Sequence, residues 1–131
     1  MKRLLCVVAM LGMLLSTHAV SAEEPQGAVI EFRTKVFDLG TLTQDDDRQM
    51  VRVPFTNVGD APLVVLEVRT SCSCTTVQYE RRKIMPSEQG VLNISMDPSK
   101  APVGSFYRVL QVYSTARNGV QHITLKAEIE K

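Results

Sequence analysis

The sequence has no tryptophan, only two histidines and three cysteines in 131 residues, and aromatics make up 5% of it. Each scarcity removes a class of chemistry. A Ser-His-Asp triad needs a histidine held by a carboxylate in a cleft. His18 falls in an N-terminal leader described below, and His122 alternates onto the outward face of a strand, so neither is placed for general-base work. A zinc site wants about four ligands, whereas Cys72, Cys74 and a distant His122 make three at best. No Gly-rich phosphate loop, dinucleotide fingerprint or zinc-protease helix occurs. Charge of one sign is also missing: 15 basic and 14 acidic side chains leave +1. Such a balance gives no electrostatic footprint for nucleic acid or an anionic membrane. Arg81-Arg82-Lys83 reads as a solvated turn. Asp45-Asp46-Asp47, without the spaced oxygens and glycine of a calcium loop, reads as a charged hairpin tip.

What is present begins with export. Lys2 and Arg3 precede an apolar stretch from Leu4 to Leu15, and Val20 and Ala22 place small residues at −3 and −1 of a cut after Ala22. This is the layout of a secretory signal peptide. The apolar run is about a dozen residues, short of the roughly 20 that a spanning helix needs, so no membrane span is expected after cleavage. Cys6 lies inside the apolar stretch rather than at the cut, which argues against a lipoprotein. The expected organisation is a cleaved leader over residues 1–22 and one domain over residues 23–131.

The remaining periodicity is that of strands. Ile123, Leu125, Ala127 and Ile129 alternate with polar neighbours, as do Leu92, Ile94 and Met96, and Val51, Val53 and Phe55. Pro54 cannot donate to a ladder, which predicts an edge or a bulge there. Residues 62–70 and 106–115 are strand-like and apolar on both faces near their centres, and residues 30–32 and 36–39 supply one or two short strands. Asn57 to Pro62 reads as a loop. Asn118-Gly119 is a hairpin signal for a type I′ turn. No segment beyond the leader keeps a 3.6-residue period. About seven short strands in roughly 100 residues predict an all-β, immunoglobulin-like antiparallel β-sandwich. The sequon Asn93-Ile94-Ser95 falls in a strand and reads as coincidence.

Most of the functional question therefore rests on Ser71-Cys72-Ser73-Cys74-Thr75-Thr76. If the strand from Pro62 continued unbroken, both thiols would share one face with Cα atoms about 6.6 Å apart. A disulfide prefers about 5.5–6 Å, so a bond within the pair needs a kinked backbone. The flanking hydroxyls can satisfy the backbone groups a kink would free. Four readings compete, in this order: a half-buried structural pair, as thiols or as a local disulfide; a soft-metal site for Cu(I), with Cys72 and Cys74 as ligands and Met85 or Met96 as possible thioethers; a redox-exchange pair; and a covalent attachment point. The absence of CxxCH weighs against the last.

Phe37-Asp38-Leu39-Gly40-Thr41, Val53 to Gly59, Pro62-Leu63-Val64-Val65, the SCSCTT run, Met85 to Gly90, Gly104-Ser105-Phe106 and the closing strand at 123–129 occur in an order that resembles the bacterial domain-of-unknown-function family numbered fifteen seventy-three. Its members resemble the Hydin-like branch of immunoglobulin-like sandwiches and are typically exported. The resemblance covers essentially all of the chain after the leader. It implies fold and export and supplies no activity. The family pattern often has Cys-Gly-Cys-Thr where this chain has Cys72-Ser73-Cys74-Thr75, and Pro-Gly where it has Pro86-Ser87. Serine at 73 is less comfortable than glycine in a positive-φ turn, which weighs against a local disulfide.

The expectation is thus an exported, non-catalytic binding or structural module of the periplasm or cell envelope of a Gram-negative bacterium. It would meet an envelope protein through an exposed sheet edge, a mode for which pilus chaperones offer an analogy. The alternative is a thiol-based function of Cys72 and Cys74, with copper handling ahead of disulfide exchange.

Overall fold

Alternating apolar side chains need a partner layer, and the computed structural model, described from residue 27 to residue 131, supplies it as two sheets. The strands are β1 (Ile30–Glu31), β2 (Val36–Thr43), β3 (Gln49–Asn57), β4 (Val65–Arg69), β5 (Thr75–Tyr79), β6 (Gln89–Met96), β7 (Gly104–Ser114) and β8 (Gln121–Glu130), with one 3-10 turn at Pro98–Lys100. One sheet has the order β1-β3-β6-β5 and the other β2-β8-β7-β4. The expected immunoglobulin-like sandwich is the observed fold. It has eight strands rather than seven: the two short strands expected at 30–32 and 36–39 both form, as β1 and β2 in different sheets, and the additional strand is β5 (Thr75–Tyr79), which the apolar alternation does not mark. The secretory leader expected at residues 1–22, with Cys6 and His18, lies outside the described residues.

Strand phase decides which side chains fill the space between the sheets. Val51, Val53 and Phe55 of β3, Leu92, Ile94 and Met96 of β6, and Ile123, Leu125, Ala127 and Ile129 of β8 are all buried. Full burial of one such side chain stabilises by about 1.5–3 kcal/mol before entropy is counted. The Phe32 and Phe55 rings meet at 5.7 Å between centroids. A Cβ on Gly90 would overlap that Phe55 ring, so glycine is required there by the close approach of β6 to it.

Four local details differ from, or refine, what the residues alone predict. Most pairs are antiparallel, but β2 runs parallel to β8, with a register shift between Asp38 and Thr41. Gly40 lies in that shift with φ +73°. Asp45-Asp46-Asp47 is not a hairpin tip, because β2 and β3 belong to different sheets. There the Asp46 carboxylate accepts from Thr43 N (2.8 Å) and closes a turn that carries the chain across.

Pro54 sits in a strand that is interior by order, yet its position behaves as an edge. It pairs with Val91 of β6, while β1 reaches only Thr56 and Asn57 on the other side. The missing N–H thus leaves no ladder bond unmade.

The 116–119 turn is not type I′. Gly119 has φ +79° but Asn118 has no positive φ, and Ser87 is the only non-glycine residue with one among the described residues. Instead Gly119 N donates to Ala116 O (3.3 Å). The Asn118 side chain is used elsewhere: Oδ1 accepts from Ile30 N (3.1 Å) and Nδ2 donates to Ile30 O (2.8 Å). It stands in for the neighbouring strand that β1 lacks.

Candidate functional site

The chain leaves one sheet and enters the other between Arg69 and Thr75, and the two cysteines lie in that crossover. Strand β4 stops because its backbone finds other partners. Cys72 N donates to Thr70 Oγ1 (3.4 Å), and Thr75 N donates to Cys72 O (3.3 Å). Such side-chain turns compete with ladder bonds. By Cys74 the chain has joined the second sheet, since Cys74 O accepts from Asp97 N (2.8 Å).

The sulfurs of Cys72 and Cys74 are bonded to each other, with Cα atoms 5.2 Å apart. The kink draws the Cα atoms closer than an extended strand allows, and it needs no positive φ at Ser73. Serine at this position is therefore no obstacle, contrary to what the glycine of the family pattern implies. The pair is asymmetric. Cys74 is 2% exposed and belongs to the core, whereas Cys72 is half-buried and Ser71 and Ser73 are exposed. Cys74 N donates to Cys72 Sγ (3.3 Å), and Cys74 Sγ lies 3.5 Å from Thr75 Oγ1.

A bonded pair has no thiolate to offer a metal, so the Cu(I) expectation concerns the reduced form alone. Met96 is buried in the same core and is the register partner of Thr75. Met85 is exposed in the turn before β6. Among the described residues no three His, Cys, Asp or Glu side chains converge to hold a metal ion. His122 is exposed on the outer face of β8, opposite Gln111. Arg81, Arg82 and Lys83 are exposed, and Arg82 is tied down by Glu80 and Glu88. Both carboxylates hold its guanidinium even higher than usual, the Glu80 hydrogen bond being the larger cause.

The early stop of β4 has a consequence at β7. Strand β4 pairs with β7 only from Val65–Ser114 to Arg69–Gln111, while β8 pairs with β7 from Gly104 to Val112. Among the described residues, the backbone of β7 from Gly104 to Leu110 therefore has a strand on one side only. Beside this free edge lies a cavity of about 310 Å³ lined by Arg69, Thr70, Ser71, Val109 and Gln111. Tyr107 and Val109 present 56% and 37% of their surface there on the outer face.

Arg108 follows the inward phase of β7 but cannot stay in the core as a cation. Its guanidinium lies over the Phe106 ring (4.9 Å) and its Nη1 donates to Tyr107 O (2.9 Å). Arg69 lies over the Tyr113 ring (4.6 Å) and pairs with Glu67 (3.1 Å). Tyr79 of β5 closes part of the gap between the sheets by donating its hydroxyl to Leu66 O (3.2 Å).

At the foot of the crossover, Ser99 donates its hydroxyl and its N–H to the Asp97 carboxylate (2.7 and 3.1 Å). Those bonds, with Arg48 at 3.7 Å, hold its pKa below the usual range.

One residue that motif reasoning passes over is Asn57, read from sequence as the start of a loop. It is fully buried. Its Oδ1 accepts from Val29 N (3.3 Å) and Gly59 N (3.0 Å), and its Nδ2 donates to Ala61 O (2.8 Å) and Ile84 O (2.9 Å). The signal was the Asn-x-Gly spacing: a Cβ on Gly59 would strike the backbone of residues 27–29, so asparagine and glycine together bring β1 against this loop.

Comparison with known proteins agrees with this architecture. Residues 30–129 match the profile of a family described as "Protein of unknown function (DUF1573)". None of the curated proteins matches the chain. Among solved structures, a protein of unknown function from Porphyromonas gingivalis W83 is similar at 25% identity and a TM-score of 0.69, over 79% of this chain and 47% of that one. This chain thus spans less than half the length of that relative. The ASH / PapD-like domain of human CEP192 shares the fold at 10% identity and a TM-score of 0.66, over 82% and 89%. The YadV chaperone does so at 14% and 0.59, over 78% and 52%.

Proposed function

The chain belongs to the DUF1573 family of proteins of unknown function, and from that premise we propose that it is an exported, non-catalytic binding module of the bacterial cell envelope that takes an extended segment of a partner protein along the free edge of β7. The observation that carries this reading is the run from Gly104 to Leu110, paired with β8 and, among the described residues, with no strand on its other side. An unpaired strand edge offers main-chain hydrogen bonds to an incoming strand, and the flanking side chains supply selectivity.

Other edges are less suited. The free side of β2 is interrupted by the register shift at Asp38–Thr41, a device that blunts edges. Strand β5 is five residues long. The pairing of β7 with β8 is regular over its whole length. A segment added there would lie beside Tyr107 and Val109 on its outer face and would displace Arg108 from the Tyr107 carbonyl. That favours a segment with apolar residues alternating on one face and an acidic residue beside Arg108.

An envelope setting is supported by the leader-like layout of residues 1–22 and by a bonded cysteine pair, which suits an oxidising compartment. The likeness to a chaperone fold supports protein binding as the general mode, and the choice of β7 is our own.

The test compares outward-facing substitutions on the two sheets. Tyr107→Lys with Val109→Lys is expected to lower recovery of a partner crosslinked in envelope extracts by roughly tenfold or more. Met50→Lys, at a residue 66% exposed in β3 of the other sheet, is expected to leave recovery unchanged. The opposite pattern, loss with Met50→Lys and retention with the β7 pair, would end the reading.

A further inference from the structure

The cysteine pair is not used by the binding reading, and its surroundings differ at its two ends. We propose that Cys72–Cys74 is a dithiol–disulfide exchange pair in which Cys72 receives the partner thiolate and Cys74 leaves and later resolves. The inference is independent of strand docking at β7.

Exchange requires a thiolate to approach one sulfur opposite to the bond that breaks. Cys74 is 2% exposed and packed within the core, so approach to its sulfur is closed. Cys72 retains solvent contact between two exposed serines. The cavity lined by Thr70 and Ser71 begins one residue away and gives room for the chain that carries an incoming thiol. Its mixed lining, with Val109 beside the polar groups of Arg69, Thr70, Ser71 and Gln111, suits a peptide thiol, whether a small one or an extended segment.

Both departing sulfurs have a hydrogen-bond donor in place. In the first step a dithiol's thiolate forms a bond to Cys72 Sγ and the Cys72–Cys74 bond breaks. Cys74 departs as a thiolate beside the Thr75 hydroxyl, 3.5 Å away. In the second step the other thiolate of the dithiol attacks its own mixed-disulfide sulfur, and Cys72 departs as a thiolate that can accept from Cys74 N, now 3.3 Å from Cys72 Sγ. Hydrogen bonds to the charged form favour it. Each protein thiolate takes up a proton from water. The net change oxidises the dithiol to a disulfide and reduces the protein pair by two electrons and two protons; the reverse oxidises a reduced pair against a partner disulfide. In that direction Cys72 attacks and Cys74 resolves.

The experiment uses the purified protein without denaturant. The oxidised form is treated with reduced glutathione, quenched with acid, and mapped by peptide mass. A glutathione adduct on Cys72 is expected. An adduct on Cys74 instead, or no opening of the bond until the protein is unfolded, would overturn the proposal. After reduction with dithiothreitol, Cys72 is expected to be alkylated by iodoacetamide at least ~10-fold faster than Cys74, since reactivity follows thiolate character and access. Equal or reversed rates would also overturn it. A Cys74→Ser variant treated with oxidised glutathione should accumulate the Cys72 mixed disulfide, and Cys72→Ser should label far more slowly at Cys74. Should either variant fail to fold, the wild-type adduct map and alkylation rates decide alone.

Discussion

Two corners of this sandwich solve the same problem by different means. At the Asn57 corner, β1, the loop after β3 and the chain before β6 converge, and one buried side chain satisfies the backbone groups of all three. At the Cys72–Cys74 corner, β4 crosses to β5, and a covalent bond spans two residues. At the first corner the convergent backbone groups are all paired through Asn57. Among the described residues, the second leaves β7 uncovered from Gly104 to Leu110 and keeps one half of the disulfide, Cys72, only half-buried. The comparison teaches that the stronger bond here is not the stronger fastener. A buried asparagine with both ends paired holds distant segments together, whereas a disulfide between near neighbours in sequence restrains very little chain.

The most severe way to test that contrast is Asn57→Ala. It would strip partners from Val29 N, Gly59 N, Ala61 O and Ile84 O at once. Water can reach part of this corner, because Val29, Gly59 and Ala61 are only half-buried. The expected cost is about 3 kcal/mol, read from the midpoint and slope of urea unfolding. A loss below about 1 kcal/mol would mean that solvent replaces the side chain and that the corner is not held as described.

Removing the disulfide is expected to cost less. Linking residues 72 and 74 closes a loop of about three residues, for which the chain-entropy account gives roughly 1.6 kcal/mol. The Cys72→Ser, Cys74→Ser double variant should therefore stay folded, with a smaller shift in urea midpoint than Asn57→Ala and an unchanged slope. A larger loss would show that the bond is the main fastener of the crossover and would reverse the comparison. So small a contribution leaves stability a minor part of what the pair does.

The two corners also differ in how far they could be read without coordinates. The pairing of alternation with burial was plain for β6 and β8, because one face of each strand fills the core and a one-residue slip would invert it. The division of β1 and β2 between sheets was not, since it depends on which edges remain free after the other strands have paired. Asn118 illustrates the difficulty: its side chain pairs with Ile30, a residue far away in sequence, and no local turn rule contains that contact.

Asn57 was hidden for the same reason, its partners being spread from residue 29 to residue 84. Cys72 and Cys74 were conspicuous as a pair, yet an extended-strand extrapolation misplaces them. Thr70 Oγ1 takes the Cys72 N–H, and the backbone turns before the ladder can continue. The free edge of β7 follows from that turn and has no signature of its own in the residues of β7.

The smallest expected effect sharpens the comparison at the Asn57 corner. Met85 O accepts from Glu88 N (2.9 Å), with Pro86 and Ser87 between them, and Ser87 N donates to Asn57 O (2.8 Å). Ser87 has φ +70°, the conformation that the third position of a type II turn imposes and that glycine adopts without a steric penalty. A non-glycine residue there costs about 1–2 kcal/mol. Glycine gives back part of this, about 0.4–1 kcal/mol, through the greater freedom of the unfolded chain. Ser87→Gly should therefore stabilise by about 0.5–1 kcal/mol, a rise in Tm of a few degrees for a domain of roughly this size. The Ser87 side chain is exposed, so little packing is lost. Thermal unfolding of the variant beside the wild type decides the matter. A higher Tm would locate residual strain in the corner that Asn57 otherwise satisfies, and an unchanged or lower Tm would mean that the serine hydroxyl contributes there more than the backbone strain costs.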